Sequence, residues 1–233
     1  MNIIITGASR GIGYDTALQL AAEPGHQILV LSRNQEKLKK LKTEADRFGH
    51  QNLQYLAYDL TQAQQSLLLE KVKIWKSVDV LINNAGLLIS KPFQSLTSED
   101  WQSLFAANFF GVIDLIRLLL PYLEQSEKSH ILNIGSMGGF QGSAKFPGLS
   151  AYSASKAALA NLTECLAEEL KEKNICANCL ALGAVQTEML ETAFPGYVAP
   201  VKSREMASFI AYFATRGHQF YNGKILPVSV STP

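Results

Sequence analysis

The sequence predicts an α/β protein with a doubly wound, mostly parallel sheet of about seven strands and helices on both faces. Apolar runs that suit buried strands alternate from end to end with segments of helical periodicity. Such alternation places a crossover helix between successive parallel strands. No internal repeat, low-complexity tract or linker interrupts the sequence, so residues 1–233 are expected to form a single domain.

Each element is predicted from its hydrophobic pattern. The expected strands are short apolar runs at residues 3–5, 27–31, 53–58, 78–82, 130–134, 175–180 and 224–230. The expected helices have apolar residues at helical spacing and cover residues 12–21, 36–48, 62–76, 101–124, 151–171 and 203–215. The second and third helices are amphipathic, with expected inward faces formed by Leu38, Leu41, Ala45 and Phe48, and by Leu67, Leu68, Val72 and Trp75.

The fourth helix contains the most apolar region of the sequence. Thr97, with Asp100 three residues later, is its expected N-cap. The apolar stretch at 109–123 contains Asp114, Arg117 and Pro121 and is shorter than the roughly 20 residues of a membrane span. A buried or interface helix is therefore expected.

The composition argues against several classes of protein. Apolar residues make up 47% and charged residues 18% of the chain, which is typical of a globular protein. The formal net charge of +1 gives no reason to expect nucleic acid or a membrane surface as a partner. Met1 leads directly into the first strand without a basic or long apolar leader, so a cytoplasmic location is expected.

The cysteines and histidines do not predict a metal site. Cys176 and Cys179 form a C-x-x-C pair, but on a strand that spacing directs the two side chains to opposite faces. Cys165 makes the count odd, which argues against a disulfide framework. The histidines lack ligand spacing and are expected in loops and at strand edges; they are His26, His50, His130 and His218.

The segment from Met1 to Gly13 has the pattern of a phosphate-binding turn. A β-branched run at 3–5 is followed by Gly7, Gly11 and Gly13, and helical spacing begins at Ile12. The glycines let backbone N–H groups approach a pyrophosphate, and the helix N-terminus adds partial positive charge. Taken alone, the pattern also fits a plain strand-to-helix turn.

Polar and glycine-rich segments follow the ends of the expected strands. In a doubly wound sheet these ends share one edge, and ligands bind there where the strand order reverses. The segments expected to meet at this crevice are residues 7–13, 32–33, 59, 83–86, 135–139 and 183–187.

Tyr152 and Lys156 are the candidate acid–base pair. Their spacing of four places them on one face of a helix. A free tyrosine has a pKa near 10, and a nearby ammonium lowers that pKa towards neutrality. The alternative is an ordinary pair of exposed side chains.

With these residues the sequence resembles the short-chain dehydrogenase/reductase family, over nearly its whole length. The matching motifs are T-G-x-x-x-G-x-G at 6–13, N-N-A-G at 83–86, N-x-x-G beginning at Asn108, a serine at Ser136, and Y-x-x-x-K at Tyr152 and Lys156. Each motif alone is weak evidence for the family, but five motifs in this order are specific to it.

The resemblance implies an oxidoreductase of the carbonyl reductase type, which transfers a hydride between a nicotinamide cofactor and a carbonyl or alcohol. Tyr152 would be the general acid/base and Ser136 would hydrogen-bond the substrate oxygen. Lys156 would hold the nicotinamide ribose and lower the tyrosine pKa, and Asn108 would anchor a water that links Lys156 to solvent. The implied cofactor-binding residues are Gly7, Ser9, Arg10, Gly11, Ile12, Gly13, Arg33, Asp59, Leu60, Asn83, Ala85, Gly86, Tyr152, Lys156, Gly183, Val185 and Thr187.

The residue at the end of the second strand indicates which cofactor is preferred. Sites for NAD usually have an acidic residue about 20 residues after the glycine turn. Arg33 stands at that place here, and Arg10 lies inside the turn. A guanidinium can pair with a 2′-phosphate, so NADP(H) is expected in preference to NAD(H), although either arginine could simply be solvated.

Two loops depart from the family. Tyr152 lies sixteen positions after Ser136, a longer interval than in many relatives, and the extra residues are expected to reshape the substrate mouth. A short substrate loop is expected around 187–203. Its apolar residues are available to line the substrate site, although a small hydrophobic lid or a subunit contact explains them equally well; they are Met189, Leu190, Phe194 and Tyr197.

The expected partners are a small carbonyl or alcohol substrate and further copies of the chain, as a homodimer or homotetramer. The helices near Trp101 and Tyr152 are apolar on more than one face, although burial within a monomer explains this equally well. The alternative function is a catalytically silent nucleotide-binding regulatory or scaffold protein. Such relatives usually lack the tyrosine or the lysine.

Overall fold

The computed structural model describes residues 1–62 and 65–230, and it has the predicted doubly wound α/β fold. The strands are β1 (Asn2–Thr6), β2 (Gln27–Ser32), β3 (Leu53–Ala57), β4 (Val80–Asn83), β5 (Ser129–Ser136), β6 (Ile175–Leu182), β7 (Val185–Gln186), β8 (Val201–Lys202) and β9 (Ile225–Val228). Within the described residues, seven of them form one parallel sheet in the order β3-β2-β1-β4-β5-β6-β9. The short strands β7 and β8 pair separately and were not predicted.

Helices connect the strands on both faces of the sheet. They are α1 (Gly11–Ala21), α2 (Gln35–Arg47), α3 (Gln65–Trp75), α4 (Ser98–Phe105), α5 (Gly111–Leu123), α6 (Ser150–Glu169), α7 (Glu188–Ala193) and α8 (Ser203–Arg216). The predicted third helix includes Ala63 and Gln64, which lie outside the described residues. The helix α7, only six residues long, was too short to predict from periodicity.

The strand order reverses beside β1. This strand pairs with β2 on one side, where Ile3 is opposite Ile28, and with β4 on the other, where Ile3 is opposite Val80. All of these pairs are parallel, so the carboxyl ends of β1 and β4 lie next to each other at one edge. The crevice predicted for ligand binding lies at this reversal.

The core has two layers because successive side chains of a strand point to opposite faces. Ile3 and Ile5 pack in the layer that contains α1, α2 and α8. Ile4 packs in the layer that contains α3, α5 and α6. All three isoleucines are fully buried, which explains the unbroken β-branched run in the sequence.

Two residues of the predicted inward faces are exposed. Phe48 is 63% exposed because α2 ends at Arg47 and Phe48 is the residue that caps it, beyond the last buried turn. Leu67 is 52% exposed, because the buried face of α3 runs through Leu68 and Val72 and Leu67 lies a helical step to the side. The prediction was wrong for both side chains.

The long apolar helix has the predicted N-cap and an interruption. Thr97 and Asp100 form a capping box, and a π-helical turn at Ala106–Phe110 separates α4 from α5. The segment Ser98–Leu123 has 26 residues and contains an 18-residue stretch with a mean hydropathy of 1.8, so by length and composition alone it could cross a membrane. In this structure, however, its buried leucines pack against β5 and α6 in the core, as expected for a buried helix.

One histidine departs from its predicted place. His130 is fully buried in β5, a central strand, and not at an edge. Its Nδ1 lies 2.9 Å from the carbonyl oxygen of Ala214, and burial lowers its pKa to about 4, so the ring is neutral. Cys176 and Cys179 are buried on opposite faces of β6, as predicted, and both are free thiols. The described residues contain no group of side chains that could hold a metal ion.

Candidate active site

A cavity of about 350 Å³ opens at the carboxyl edge of the sheet. Every segment that was predicted to meet there contributes to its wall: residues from 7–13, Ser32 and Arg33, Asp59, residues from 83–86, residues from 135–139, and residues from 183–187. Its wall includes Arg33, which follows β2, and Phe146 and Phe194, which follow β5 and β6; the strand order places these residues on opposite sides of β1, at the two ends of the cavity. Ser136 and Tyr152 border the same cavity, so the two halves of the predicted site are continuous.

The glycine turn fits closely against the end of β4. Gly7 has a φ of +71°, and a Cβ there would lie 2.6 Å from the Cα of Ala85. The hydroxyl of Thr6 accepts hydrogen bonds of 3.0 Å from the backbone N–H groups of Asn84 and Ala85. Because only glycine permits this approach, the turn and the N-N-A-G segment form one surface.

The first turn of α1 presents free donors to the cavity. Arg10 is its N-cap residue, and its side chain makes no capping hydrogen bond. The first turn has no acidic side chain, and Ser9, Gly11 and Ile12 border the cavity there. This arrangement is suited to a phosphate, since the backbone N–H groups and the helix dipole both favour an anion.

Two predicted cofactor residues do not border the cavity. A Cβ on Gly13 would lie 2.4 Å from Asn84 Nδ2, so Gly13 allows α1 to pack closely behind the turn. Asn83 is buried in β4 and donates a 2.8 Å hydrogen bond to Oδ1 of Asn133 on β5. Asn84, one residue beyond the strand, borders the cavity in its place and donates to the carbonyl oxygen of Thr6 at 3.0 Å.

The cavity end nearest β2 carries the predicted arginines. Arg33 is exposed at the rim, and Arg10 pairs with Glu188 across the mouth. Asp59 borders this end with Leu60, and its Oδ1 accepts hydrogen bonds from the backbone N–H and hydroxyl of Thr61 at 2.9 and 2.8 Å. Tyr58 is a further wall residue that sequence reasoning missed.

The segment after β6 forms the opposite wall. Gly183 donates a 2.9 Å hydrogen bond from its backbone N–H to the carbonyl oxygen of Val228, which fixes this segment to β9. Thr187 is the N-cap of α7 and accepts a 3.3 Å hydrogen bond from the backbone N–H of Leu190. Val185 lies between them in β7 and also borders the cavity.

Lys156 is buried beneath the cavity. Its side chain projects from α6, is 4% exposed, and donates a 2.8 Å hydrogen bond from Nζ to the carbonyl oxygen of Ile134. Burial lowers the pKa of Lys156 to about 8. The ammonium therefore lies within reach of proton exchange at mildly alkaline pH.

Tyr152 does not have the lowered pKa that the sequence predicted. Burial raises the pKa of Tyr152 above its ordinary value of 10.0, and a hydrogen bond with the Ser136 side chain offsets part of that rise. The prediction was wrong because it counted the charge of Lys156 and not the removal of the phenol from water. The phenol is therefore protonated at neutral pH.

Asn108 connects three parts of the site from behind the wall. It is fully buried in the π-helical turn, where its Oδ1 accepts from the backbone N–H of Leu87 at 2.7 Å. Its Nδ2 donates to the carbonyl oxygen of Leu87 at 2.9 Å and to Oγ of Ser155 at 3.0 Å. A Cβ on Gly86 would lie 3.6 Å from both Asn108 Oδ1 and Lys156 Nζ, so both groups lie beside this glycine.

Ser155 is a further site residue that sequence reasoning missed. It is fully buried, and its Oγ donates a 2.7 Å hydrogen bond to the carbonyl oxygen of Tyr152. The same Oγ accepts the hydrogen bond from Asn108. Ser155 thus fixes the first turn of α6, and with it Tyr152, to the long central helix.

The end of the cavity beyond Ser136 and Tyr152 is apolar. Phe146 and Leu149 come from the long loop that was expected to reshape the mouth. Met189, Leu190 and Phe194 of the predicted substrate loop also border the cavity. Tyr197, which was predicted with them, is not among the wall residues.

Comparison with known proteins supports the family resemblance that these motifs indicated. Residues 1–197 match the short chain dehydrogenase family. The 3-oxoacyl-acyl-carrier-protein reductase FabG of Thermotoga maritima is 32% identical over 205 residues, which cover 88% of this chain and 79% of that protein. The fatty acyl-CoA reductase of Acinetobacter baylyi is 33% identical over 214 residues, which cover 90% of this chain and 71% of that protein.

Solved structures share the whole fold. A short chain dehydrogenase of Shigella flexneri complexed with NADP has a TM-score of 0.88 and 26% identity, covering 97% of this chain and 95% of that one. A 3-ketoacyl-ACP reductase of Sinorhizobium meliloti has a TM-score of 0.86 and 26% identity, covering 98% and 97%.

Proposed function

Because the chain belongs to the short chain dehydrogenase family, we propose that it is an NADP(H)-dependent oxidoreductase acting on a carbonyl/alcohol pair. The observation that carries this proposal is a single cavity with two chemically different ends. One end has a glycine turn and two arginines, and Ser136, Tyr152 and Lys156 lie further along the same cavity. A dinucleotide and a small substrate would therefore meet beside the phenol.

The residues of the turn fit a dinucleotide. A Cβ at Gly7 would collide with Ala85, so the backbone is open there to close approach by a pyrophosphate. The uncapped N-terminus of α1 supplies backbone donors, and its own first turn contains no acidic side chain. When bound, the nicotinamide would supply the hydride, and the protein supplies orientation and proton transfer.

In the reducing direction, Tyr152 would donate its phenolic proton to the carbonyl oxygen as that oxygen gains charge. Its raised pKa suits this role, because the phenol is protonated at neutral pH and available as an acid. The Ser136 hydroxyl would donate a hydrogen bond to the same oxygen and stabilise its developing charge. In the oxidising direction Tyr152 would take the proton back from the alcohol.

Lys156 would replace the proton that Tyr152 gives away. Its Nζ is hydrogen-bonded to the carbonyl oxygen of Ile134, and its pKa of about 8 allows it to release and regain a proton near neutrality. Asn108 Oδ1 and this ammonium both lie beside Gly86, each 3.6 Å from the place a Cβ would take there. We propose that Asn108 anchors the water through which Lys156 exchanges protons with solvent.

The arginines favour NADP(H) over NAD(H). Arg33 occupies the strand-end place where an NAD site would carry a carboxylate, and it is exposed at the rim of the cavity. A 2′-phosphate bound there would meet one or two guanidinium groups in place of a repelling carboxylate. The related structure from Shigella flexneri is complexed with NADP, which supports the same choice.

A Tyr152→Phe variant tests the proposal. With NADPH and a panel of ketones, aldehydes and quinonoid compounds, we expect its kcat/KM to fall about 100- to 10,000-fold, because the general acid is lost. NADPH binding, measured by fluorescence, should remain. The control is Tyr212→Phe, which removes a hydroxyl from an exposed ring on α8. Unchanged turnover in Tyr152→Phe, or no turnover by the parent with any carbonyl, would instead favour a silent nucleotide-binding protein.

A further inference from the structure

The substrate end of the cavity has an apolar wall built by three separate segments. One follows β4, one is the long loop before α6, and one includes α7 and the residue after it. The wall residues that matter here are Leu87, Leu88, Phe146, Leu149, Leu190 and Phe194. The described hydroxyl groups near this wall are those of Ser136 and Tyr152, which the reaction itself would use, and that of Thr187, which caps α7 by accepting a hydrogen bond from Leu190.

The charged wall residues lie elsewhere or are already engaged. Arg33 and Asp59 lie at the dinucleotide end, and Arg10 is paired with Glu188. Lys156 is buried and donates to the carbonyl oxygen of Ile134. Among the described residues, no further arginine or lysine borders the cavity, and no histidine does.

The lysines that flank this wall in the sequence are directed away from it. Nζ of Lys91 lies 2.7 Å from a carboxylate oxygen of Asp100. Nζ of Lys145 donates a 2.7 Å hydrogen bond to the carbonyl oxygen of Phe140. Neither side chain borders the cavity, so a carboxylate or phosphate bound beyond Tyr152 would lose its water without gaining a cationic partner.

Two aromatic rings close the outer side of this wall. Phe146 from the long loop and Phe194 after α7 meet edge to face, with ring centroids 5.4 Å apart and an interplanar angle of 80°. Their contact joins two segments that are far apart in the sequence. Together they offer a large apolar surface to the substituents of a bound carbonyl compound.

We propose, resting on the carbonyl/alcohol function above, that this cavity selects carbonyl compounds with uncharged, apolar substituents, and that Phe146 and Phe194 determine this specificity. A substrate of this class places its oxygen against Ser136 and Tyr152 and its substituents against the apolar wall. An acidic substituent on the same skeleton is rejected, because the wall offers no group to pair with it.

The test compares two ketones that differ only in a remote charge: methyl 4-acetylbenzoate and 4-acetylbenzoate, each with NADPH. A para ester withdraws more electron density from the ketone than a para carboxylate does, so the rates at which borohydride reduces the two compounds in solution are used to correct for intrinsic reactivity. We expect kcat/KM for the ester to exceed that for the carboxylate by about 100-fold. Equal values, or a preference for the carboxylate, would overturn the inference while leaving the proposed function intact.

Variants of the aromatic pair test the specificity residues. Phe146→Ala and Phe194→Ala should each raise KM for the ester about 10-fold, because each removes apolar contact with the substrate. The Kd for NADPH should stay within about twofold, since neither ring contacts the dinucleotide end. Phe194→Leu keeps an apolar side chain of smaller size and gives an intermediate KM if Phe194→Ala is poorly folded. Phe48→Ala, at an exposed ring outside the cavity, is the matched control.

Different outcomes test the specificity role of the aromatic pair and the proposed carbonyl/alcohol function. An unchanged KM for the ester in both alanine variants would show that the aromatic pair does not set specificity. If neither ketone, nor any compound of the wider carbonyl panel, is reduced by parent enzyme that binds NADPH, the proposed function fails and the inference falls with it.

Discussion

The Nζ of Lys156 donates its 2.8 Å hydrogen bond to the carbonyl oxygen of Ile134, at a depth where only 4% of the lysine is exposed. One backbone oxygen does not replace the water that a buried ammonium has lost, so the pKa of Lys156 falls to about 8. The same burial that brings Lys156 into the pH range of proton transfer therefore costs stability. This trade of stability for function can be measured.

We predict that Lys156→Met stabilises the protein at pH 7 while abolishing turnover. Lys156 has a folded pKa of about 8 and an ordinary pKa of 10.5, so at pH 7 the folded state carries an unfavourable buried charge. A pKa shift of this size destabilises the folded parent by about 3 kcal/mol. The variant regains this free energy of unfolding but loses about 1 kcal/mol with the hydrogen bond. Stability of the parent should rise as pH increases from 8 to 10.5, since the folded state releases its proton first.

Urea unfolding of the parent and of Lys156→Met at pH 7 and pH 10 checks this prediction. The advantage of the variant should shrink towards pH 10. A variant that is less stable than the parent at both pH values would contradict the inference that the buried ammonium of Lys156 destabilises the folded state. Lys40→Met, at an exposed lysine of α2, is the control for removal of a surface charge.

The arginines at the dinucleotide end give a second prediction, on cofactor choice. Arg33→Ala and Arg10→Ala should each raise the Kd for NADPH about 10- to 100-fold, because each loses a charge-assisted contact with the 2′-phosphate. The Kd for NADH, which lacks that phosphate, should change little. Isothermal titration with both dinucleotides measures the effect, and a parallel loss of NADH affinity would contradict it.

Glu188→Gln gives a third prediction: it should strengthen NADPH binding, whereas the arginine variants should weaken it. Glu188 holds Arg10 in an exposed ion pair across the cavity mouth. Removing the negative charge frees Arg10 for the phosphate and removes a carboxylate that repels it. We expect the Kd for NADPH to fall about threefold, which is the scale of a surface ion pair. Glu191→Gln, on the same short helix, is the control.

Ser155→Ala gives a fourth prediction, on the positioning of Tyr152. Without this hydroxyl, the carbonyl oxygen of Tyr152 and Nδ2 of Asn108 each lose a buried hydrogen bond, so the first turn of α6 is less firmly fixed. We expect kcat to fall about 10-fold while the Kd for NADPH stays constant, because a small misplacement of the acid affects the chemical step.

Ser153→Ala is the matched control for Ser155→Ala, since it removes a hydroxyl from the same turn of α6 without breaking this chain of hydrogen bonds. Equal losses of kcat in the two variants would contradict the positioning role. Ser155→Thr retains the hydroxyl and should recover part of the activity. If thermal unfolding shows a general loss of structure in Ser155→Ala, the threonine variant still tests the hydroxyl.

Most of the fold was predictable because its elements have strong local patterns. The run Ile3–Ile5 must be buried on both faces, and this is enough to place β1 in the middle of a parallel sheet. Element ends were less predictable, because they depend on caps and packing. Phe48 has the right spacing for an inward residue, but α2 ends one residue before it.

The site was predictable as a set of segments, but not in every contact. The doublet of Asn83 and Asn84 does not reveal which side chain faces the cavity, because this depends on where β4 ends. Ser155 was missed because its partner Asn108 comes from a distant segment of the chain. The pKa of Tyr152 was mistaken because burial depends on the tertiary packing and not on helical spacing.

His130 gives a fifth prediction, on stability at acid pH. The ring is fully buried, with Nδ1 2.9 Å from the carbonyl oxygen of Ala214 and Nε2 3.1 Å from Nδ2 of Asn178. Burial lowers its pKa to about 4, and Lys128 and His218 add to this effect. Since the unfolded chain takes up this proton below about pH 6.5, stability should fall by about 3 kcal/mol as the pH falls from 6.5 to 4.

Guanidinium unfolding between pH 4 and pH 7 measures this loss. His130→Gln keeps a polar side chain that does not titrate, so its stability should depend less steeply on pH over this range. His50→Gln, at a partly exposed histidine after α2, should retain the full slope. An NMR titration of the His130 ring in the parent gives an independent measurement. A ring that becomes protonated near pH 6.5 in the folded protein would contradict the assignment, because it would add nothing to the slope.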